Sequence, residues 1–423
     1  MRVRTSPVLL ELEDKLGFSL TKPLPILRNE LGLLPLLACL PFMYLPKLLQ
    51  GDTQPWILFC AILALFSYRT HAFIADPRRD VVLITLSALS LFAYIIRSPF
   101  NLLVVRETYT QFTFVCLWLV CSRGHSAHFS WALRFTVAIW FAFGAYETLS
   151  VALGHGLGVP EFLIGRFVPG RSGVPGLTAE PSFYGSLSMV QMMYLLSERD
   201  RKNAPYIVCA GLSVILSGSV LALILLAFPC MKLPSRYRIA AFVVLPAIGI
   251  ANYFFSFAGL VTRVAYLDFR SVTALLLDPS LNIRLGNIYY TLWVHLIPSL
   301  SLTTQVDYQR EYSAFAAYSG VFYDPNTPFI LPAIGALIYG SGAFGLLQLL
   351  AFLDSARRQG AGFMGKVEKI VFVVACMLNP ITLANPFLII YSLKRDDANL
   401  QIDRTFAVDN GLRTEDTAQR KSL

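Results

Sequence analysis

Charge is scarce in this sequence: Asp, Glu, Lys and Arg make up 14% of its 423 residues, against 55% hydrophobic, and the mean hydropathy is +0.58. That balance excludes an ordinary soluble domain and a disordered chain, and leaves an integral membrane protein as the expected class. Long polar intervals are few as well. Apolar runs recur from Leu31 to Leu393, with one long interruption near residues 258–327, so a single polytopic domain is expected. All seven cysteines (Cys39, Cys60, Cys116, Cys121, Cys209, Cys230, Cys376) lie in or beside apolar runs. Nothing in their placement calls for a disulfide or a zinc knuckle. Also missing are a P-loop ending in Gly-Lys-Ser/Thr, a nucleophile elbow, an HExxH helix and any Asp-x-Asp pair in the long loops. These absences disfavour nucleotide hydrolysis, zinc proteolysis and metal-dependent transfer from sugar nucleotides, so no metal and no cofactor are expected.

What is present is a series of spanning candidates at 31–49, 55–68, 80–96, 102–121, 131–153, 182–196, 239–257 and 328–352. Two further stretches, 206–231 and 369–392, read either as one span or as a pair of short ones folded at "SGS" and at "NPITLANP", residues that end helices. Basic residues favour the pairs. With both stretches paired, the clusters Arg69/Arg78/Arg79, Arg199/Arg201/Lys202, Lys232/Arg236/Arg238 and Arg357/Arg358/Lys366/Lys369 all fall on the cytoplasmic side. So do an N-terminal segment, 1–30, and a C-terminal tail, 394–423. The expected fold is all-α, with about twelve transmembrane or re-entrant helices between residues 31 and 393. The formal charge of +9 then orients the chain in a membrane, and nucleic acid is not an expected partner. Residues 154–181 and 258–327 remain as outer loops. The second is expected to be helical, because apolar residues recur at helical spacing in 262–277 and 284–297.

Candidate chemistry concentrates in those two loops. Glu180 precedes Pro181, which reads as an N-cap followed by a proline at the first helical position. Ser, Thr or Asn would cap as well without bringing a charge to the membrane edge. The alternative is therefore a carboxylate on a rigid helix start, placed to accept a proton or orient a hydroxyl. All six basic residues of the two loops (Arg166, Arg171, Arg263, Arg270, Arg284, Arg310) are arginines, whose fork suits phosphate or carboxylate. Salt bridges to Glu161, Asp268, Asp278, Asp307, Glu311 or Asp324 are the competing explanation. Arg106, with Glu107, and Glu147 fall inside expected spans near their outer ends, where an ionisable group marks a site unless it is paired or snorkels. Arg134, near an inner end, reads as snorkelling. His295 lies eleven residues after Arg284, so a continuous helix would put both on one side.

"GRSGVPGLTAEPSFYG", residues 170–185, resembles the Arg, Gly, Glu-Pro-Ser passage of bacterial O-antigen and exopolysaccharide polymerases, relatives of the O-antigen ligases. "DPSLNIRLGNIYYTLWVHLIPSL" is similar to the Ser-x-x-x-Arg helix of that superfamily's periplasmic loop, here Ser280 and Arg284. "DPNTPFILPAIGALIYGSGAFGLLQLL" resembles the next helix, with Asn326, Gly342 and Gly345. The resemblance implies a type C glycosyltransferase of the bacterial inner membrane, with its active site facing the periplasm. It implies undecaprenyl-diphosphate-linked glycans as donor and acceptor, membrane lipids around the chain, and a chain-length regulator and a flippase as further partners. By the same likeness Glu180, Arg171 and Arg284 are the catalytic candidates, and Arg166, Arg263, Arg270 and His295 would bind substrate; Arg106 and Glu147 join the substrate-binding candidates through their place inside expected spans. The lack of a confidently placed ligase histidine favours polymerase over ligase. A flippase for the same lipid-linked sugars is the alternative from another class; it calls for paired mid-membrane charges and internal symmetry, which the sequence does not show.

Overall fold

Helices form where the apolar runs lie, and several of them begin at a proline. A computed structural model describes residues 56–67, 77–98, 102–123, 126–153, 173–178, 180–198, 200–232, 279–301, 308–324, 332–358, 365–379 and 386–393. The spans expected at 31–49 and 239–257, the helix expected at 262–277, and the segments 1–30 and 394–423 lie outside the described residues. The described chain is mostly helical, with no strand among the described residues. In order come α1 (Trp56–Ser67), α2 (Pro77–Arg97), α3 (Leu102–Arg123), α4 (Ser126–Ala152) and α5 (Pro181–Ser197). A short turn leads to α6 (Ala204–Ser217), α7 (Val220–Leu225) and α8 (Ala227–Lys232). Then follow α9 (Pro279–Tyr289), a π-helical turn (Tyr290–Val294), α10 (Leu296–Leu300), α11 (Tyr308–Ser319), α12 (Ala333–Arg358), α13 (Lys366–Cys376) and α14 (Pro386–Leu393). Pro77, Pro181, Pro279 and Pro386 each open a helix, where the missing N–H costs no hydrogen bond.

Among the described residues two helical stretches, Arg78–Arg97 and Ala333–Arg357, are long and apolar enough to cross a membrane. The polarity of α2 is inverted relative to a helix on a water-soluble core. Its buried stripe is Asp80, Leu83, Ser87, Ser90, Ala93 and Arg97, whereas Val81, Val82, Leu89, Phe92, Ile95 and Ile96 face outward. Asp80 accepts from the Trp118 indole at 2.7 Å, and Ser87 bonds Gln348 of α12 at 3.0 Å. α4 repeats the pattern, burying Thr136, Glu147 and Ser150 while exposing Phe135, Tyr146 and Leu149.

α12 runs antiparallel to α2, with Gln348 opposite Ser87 and Gly340 against the Tyr94 ring. At Gly342 its backbone leaves the helix (φ 62, ψ −138), a conformation that L side chains avoid. A Cβ at that position would lie 2.9 Å from Arg97 Nη1 and 3.0 Å from the Ser301 carbonyl. The kink thus opens the notch in which Arg97 reaches the Ser299 carbonyl at 3.1 Å. Gly340, Gly342 and Gly345 have the spacing of a dinucleotide fingerprint, yet they sit inside this kinked helix and serve its packing.

Both ambiguous stretches are broken helices. α6 ends at Gly218 in the left-handed region (φ 57, ψ 18), and Ser219 caps α7 through the Ala222 amide. α13 and α14 fold back on each other: Lys369 near the start of one donates to the Ser392 carbonyl near the end of the other at 3.1 Å, and Phe372 meets Tyr391 edge-on. Their 11 and 8 residues correspond to roughly 17 and 12 Å, each short of a ~30 Å hydrocarbon core. The end of α13 is tied to other helices: Met377 accepts from Ala333 N at 3.0 Å, and Asn379 Nδ2 lies 3.3 Å from Ser186 Oγ on α5.

Arg134 is not left to snorkel. Its Nε donates to Asn203 and its Nη2 to Asp200, both at 2.6 Å, so it fastens α4 to the turn between α5 and α6. The Lys202 amide, and then Arg134, hold the Asp200 carboxyl below its usual range.

Candidate functional site

The glycine-rich passage ahead of Glu180 is buried throughout residues 173–178. Small residues are required because the chain threads between helices. A Cβ on Gly173 would lie 2.3 Å from the Ser217 carbonyl carbon, and one on Gly185 would lie 2.4 Å from Ser217 Oγ. Val174 N donates to the Leu216 carbonyl at 3.1 Å, joining the passage to the end of α6. Gly176 adopts φ 58, and its amide donates to Glu147 Oε2 at 2.7 Å. Glu147, 1% exposed on α4, thereby pins the bend that a side chain other than glycine would strain. The Thr178 hydroxyl lies 2.7 Å from both the Pro175 and the Glu180 carbonyls.

This scaffold delivers Glu180 to the start of α5. Its backbone is extended (φ −144, ψ 149), Pro181 takes the first helical position, and its carbonyl accepts from the Phe183 and Tyr184 amides at 3.0 and 3.2 Å. The position is that of an N-cap, but the side chain makes no capping bond. Instead Ser182 Oγ donates to Glu180 Oε2 at 3.2 Å. The carboxylate is partly exposed, stands at the positive end of a 17-residue helix dipole, and is not consumed by the helix it begins. The turn of the α13–α14 hairpin backs this helix start through Asn379, which also approaches the Ser182 carbonyl at 3.5 Å.

A second polar assembly joins the α9–α10 segment to α11 and α12. Glu311, in the first turn of α11, accepts on Oε2 from the Tyr339 hydroxyl at 2.7 Å and the Tyr290 hydroxyl at 3.1 Å, with His295 Nε2 at 3.6 Å. The His295 ring stacks on Tyr290 (centroids 5.3 Å, planes 15°) and on Tyr339 (5.7 Å, 29°). Beneath them Tyr308 donates to Asn287 Oδ1, and Tyr312 is fully buried. Burial raises the pKa of Tyr290, Tyr308 and Tyr312, and adjacent Glu311, Tyr312 and Asp324 respectively add to it. His295 Nδ1 lies 3.3 Å from Ser299 Oγ, which completes a Ser–His–Glu arrangement. Ser299 is 0% exposed, so substrate cannot reach it as a nucleophile and the contact orients the imidazole.

Of the residues selected from sequence, Glu147 anchors the buried passage at Gly176, and Glu180 stands four residues further on, where that passage meets α5. Arg284 is buried (6% exposed) on α9, near Asn287 and Thr291 along the helix. The π turn after it adds a residue to the helical register, so His295 is rotated away from the face that plain α spacing assigns it. Arg106 belongs to α3, but its side chain is outside the described residues. Arg166, Arg171, Arg263, Arg270 and Asn326 are outside them too. Sequence reading missed Arg97, which stands one residue beyond an expected span, and Glu311, which it counted only as a salt-bridge partner. It also missed Tyr290 and Tyr339; the π turn that aligns Tyr290 with His295 has no sequence signature.

No protein-family model, no curated protein and no solved structure matches this chain.

Proposed function

We propose that this chain is a polytopic membrane glycosyltransferase that polymerises undecaprenyl-diphosphate-linked oligosaccharide repeat units at the outer face of the bacterial inner membrane. The inverted polarity of α2 supports the membrane setting. Its six outward apolar side chains, at about 1.5–3 kcal/mol each, would forgo on the order of 10 kcal/mol of burial in water, and lose nothing in lipid. The broken helices fit the same medium, since loose helix ends are tolerated there only under cover of protein or a wet cavity.

The observation that carries the catalytic reading is Glu180: a carboxylate at a cap position that does not cap, is partly exposed, and is held by a buried, glycine-shaped passage. In the reaction, the acceptor hydroxyl oxygen attacks the anomeric carbon of the donor. The bond from that carbon to the diphosphate oxygen breaks, and the hydroxyl proton passes to Glu180. Arg171 and Arg284, supported by Arg166, Arg263 and Arg270, neutralise charge on the departing lipid diphosphate. The linkage is already activated, so the step needs neither metal nor nucleotide. A ligase acting on the same donor differs only in its acceptor.

One observation favours the flippase alternative: discontinuous helices at Gly218 and Gly342, and in the α13–α14 hairpin, are a device of transporters. Deleting the gene separates the readings. Single repeat units on carrier, exposed outside, are expected; units trapped inside would indicate a flippase, and long polymer left on carrier a ligase.

A further inference from the structure

Glu311 is bound in a way that the Glu180 chemistry does not use. Every described contact of its carboxylate falls on Oε2, where two tyrosine hydroxyls and His295 converge, and its side chain is one-third exposed. Such an arrangement fixes the rotamer, and a carboxylate held through one oxygen keeps acceptor capacity for a further donor. The hydroxyls come from Tyr290 and Tyr339, 4% and 2% exposed, so the carboxylate rests on a rigid floor. The same segments carry exposed aromatic rings: Tyr289 is 46% exposed and stacks on Phe315, one turn after Glu311 on α11, and Trp293, two residues before His295, is 78% exposed. His295 itself is 26% exposed.

The chemistry narrows the ligand. A carboxylate repels phosphate and other anions, and no group of three metal-ligating side chains occurs among the described residues, so a metal ion is not indicated. Two classes remain, organic cations and hydroxyl donors with an apolar face; the second is a sugar ring, whose hydroxyls bond the carboxylate while its C–H face lies on an aromatic ring. We propose that Glu311, oriented by Tyr290, Tyr339 and His295, forms a second saccharide site that holds an uncharged sugar of the glycan through residues other than those that hold Glu180. This inference rests on the polymerase reading for its biological use, but the site is defined by its own geometry.

The test is saturation-transfer NMR on the full-length protein in nanodiscs, with free glucose, galactose, N-acetylglucosamine, rhamnose, glucosamine and glucuronate as probes. At least one uncharged sugar should give signal with the wild type, lose it at least tenfold in Glu311→Gln, and keep it in Glu180→Gln. Tyr339→Phe leaves the carboxylate but removes one positioning hydroxyl, and should weaken the same signal a few-fold. Signal from none of the probes, signal only from glucosamine or glucuronate, or equal signal in Glu311→Gln and wild type would each overturn the proposal. Sugar binding lost in Glu311→Gln, in a protein whose deletion leaves lipid-linked units unchanged, would keep the site and sink the polymerase reading.

Discussion

Replacing Gly173 by alanine tests the framework that carries Glu180. The added Cβ would lie 2.3 Å from both the carbonyl carbon and the oxygen of Ser217, and 2.4 Å from the Leu216 oxygen. These are backbone atoms at the end of α6, so no side chain can swing aside. Relief requires the passage to retreat, which breaks the bond from Val174 N to the Leu216 carbonyl. Overpacking costs about 1–3 kcal/mol, and a buried donor and acceptor left unmatched add about 1–3 kcal/mol each. The sum, roughly 3–9 kcal/mol, is a large share of the ~5–15 kcal/mol that holds a typical domain folded. Two other glycines calibrate the result. Gly211→Ala meets nothing nearer than Met192 at 3.8 Å and should be neutral or stabilising by about 0.5–1 kcal/mol. Gly320→Ala has nothing within 4 Å but φ +64, and should cost about 1–2 kcal/mol through strain alone. Thermal melting in detergent, followed by fluorescence-detected size exclusion, should rank Gly211→Ala at or above wild type, then Gly320→Ala, then Gly173→Ala. If Gly173→Ala melted with the wild type, the passage would not be threaded against α6 as described.

Other outcomes follow from individual contacts. Glu147→Gln retains an acceptor for the Gly176 amide and should keep its fold, whereas Glu147→Ala should lose about 1–3 kcal/mol in the same melting assay. Arg97→Lys cannot reproduce a planar fork in the Gly342 notch and should loosen the helices around Ser299 by a similar amount, read as faster proteolysis within residues 290–320. Burial holds Tyr290, Tyr308 and Tyr312 in the protonated form. Because the folded protein raises their pKa, their contribution to stability is complete below the free phenol value of about 10 and falls as pH rises above it. Absorbance at 295 nm, read at pH 11, should therefore lose no amplitude in Tyr308→Phe.

Much of the helical framework was legible in the sequence, because apolar length and proline position are local signals. The broken stretches were legible too: Gly218 ends α6, and Asn379 closes α13 as "NPITLANP" begins. α11 was not, since its buried residues, Tyr308, Tyr312 and Ala316, are interleaved with Arg310, Glu311 and Ser313 and give no long apolar run. The capping role of Glu180 was half legible. Sequence gives its position, but only the geometry shows that its carboxylate turns to Ser182 and away from the helix amides. The Glu311 assembly was illegible for a different reason: residues 290, 295, 311 and 339 meet through a π turn and the docking of α11 on α12, and neither leaves a pattern in spacing.

The most direct measurement reconstitutes wild type and Glu180→Gln in vesicles with lipid-diphosphate-linked repeat units, and resolves the products by length. Wild type should give a ladder, and Glu180→Gln, present at equal level and melting like wild type, should make polymer at least ~100-fold more slowly. A ladder of equal rate from Glu180→Gln would contradict the account.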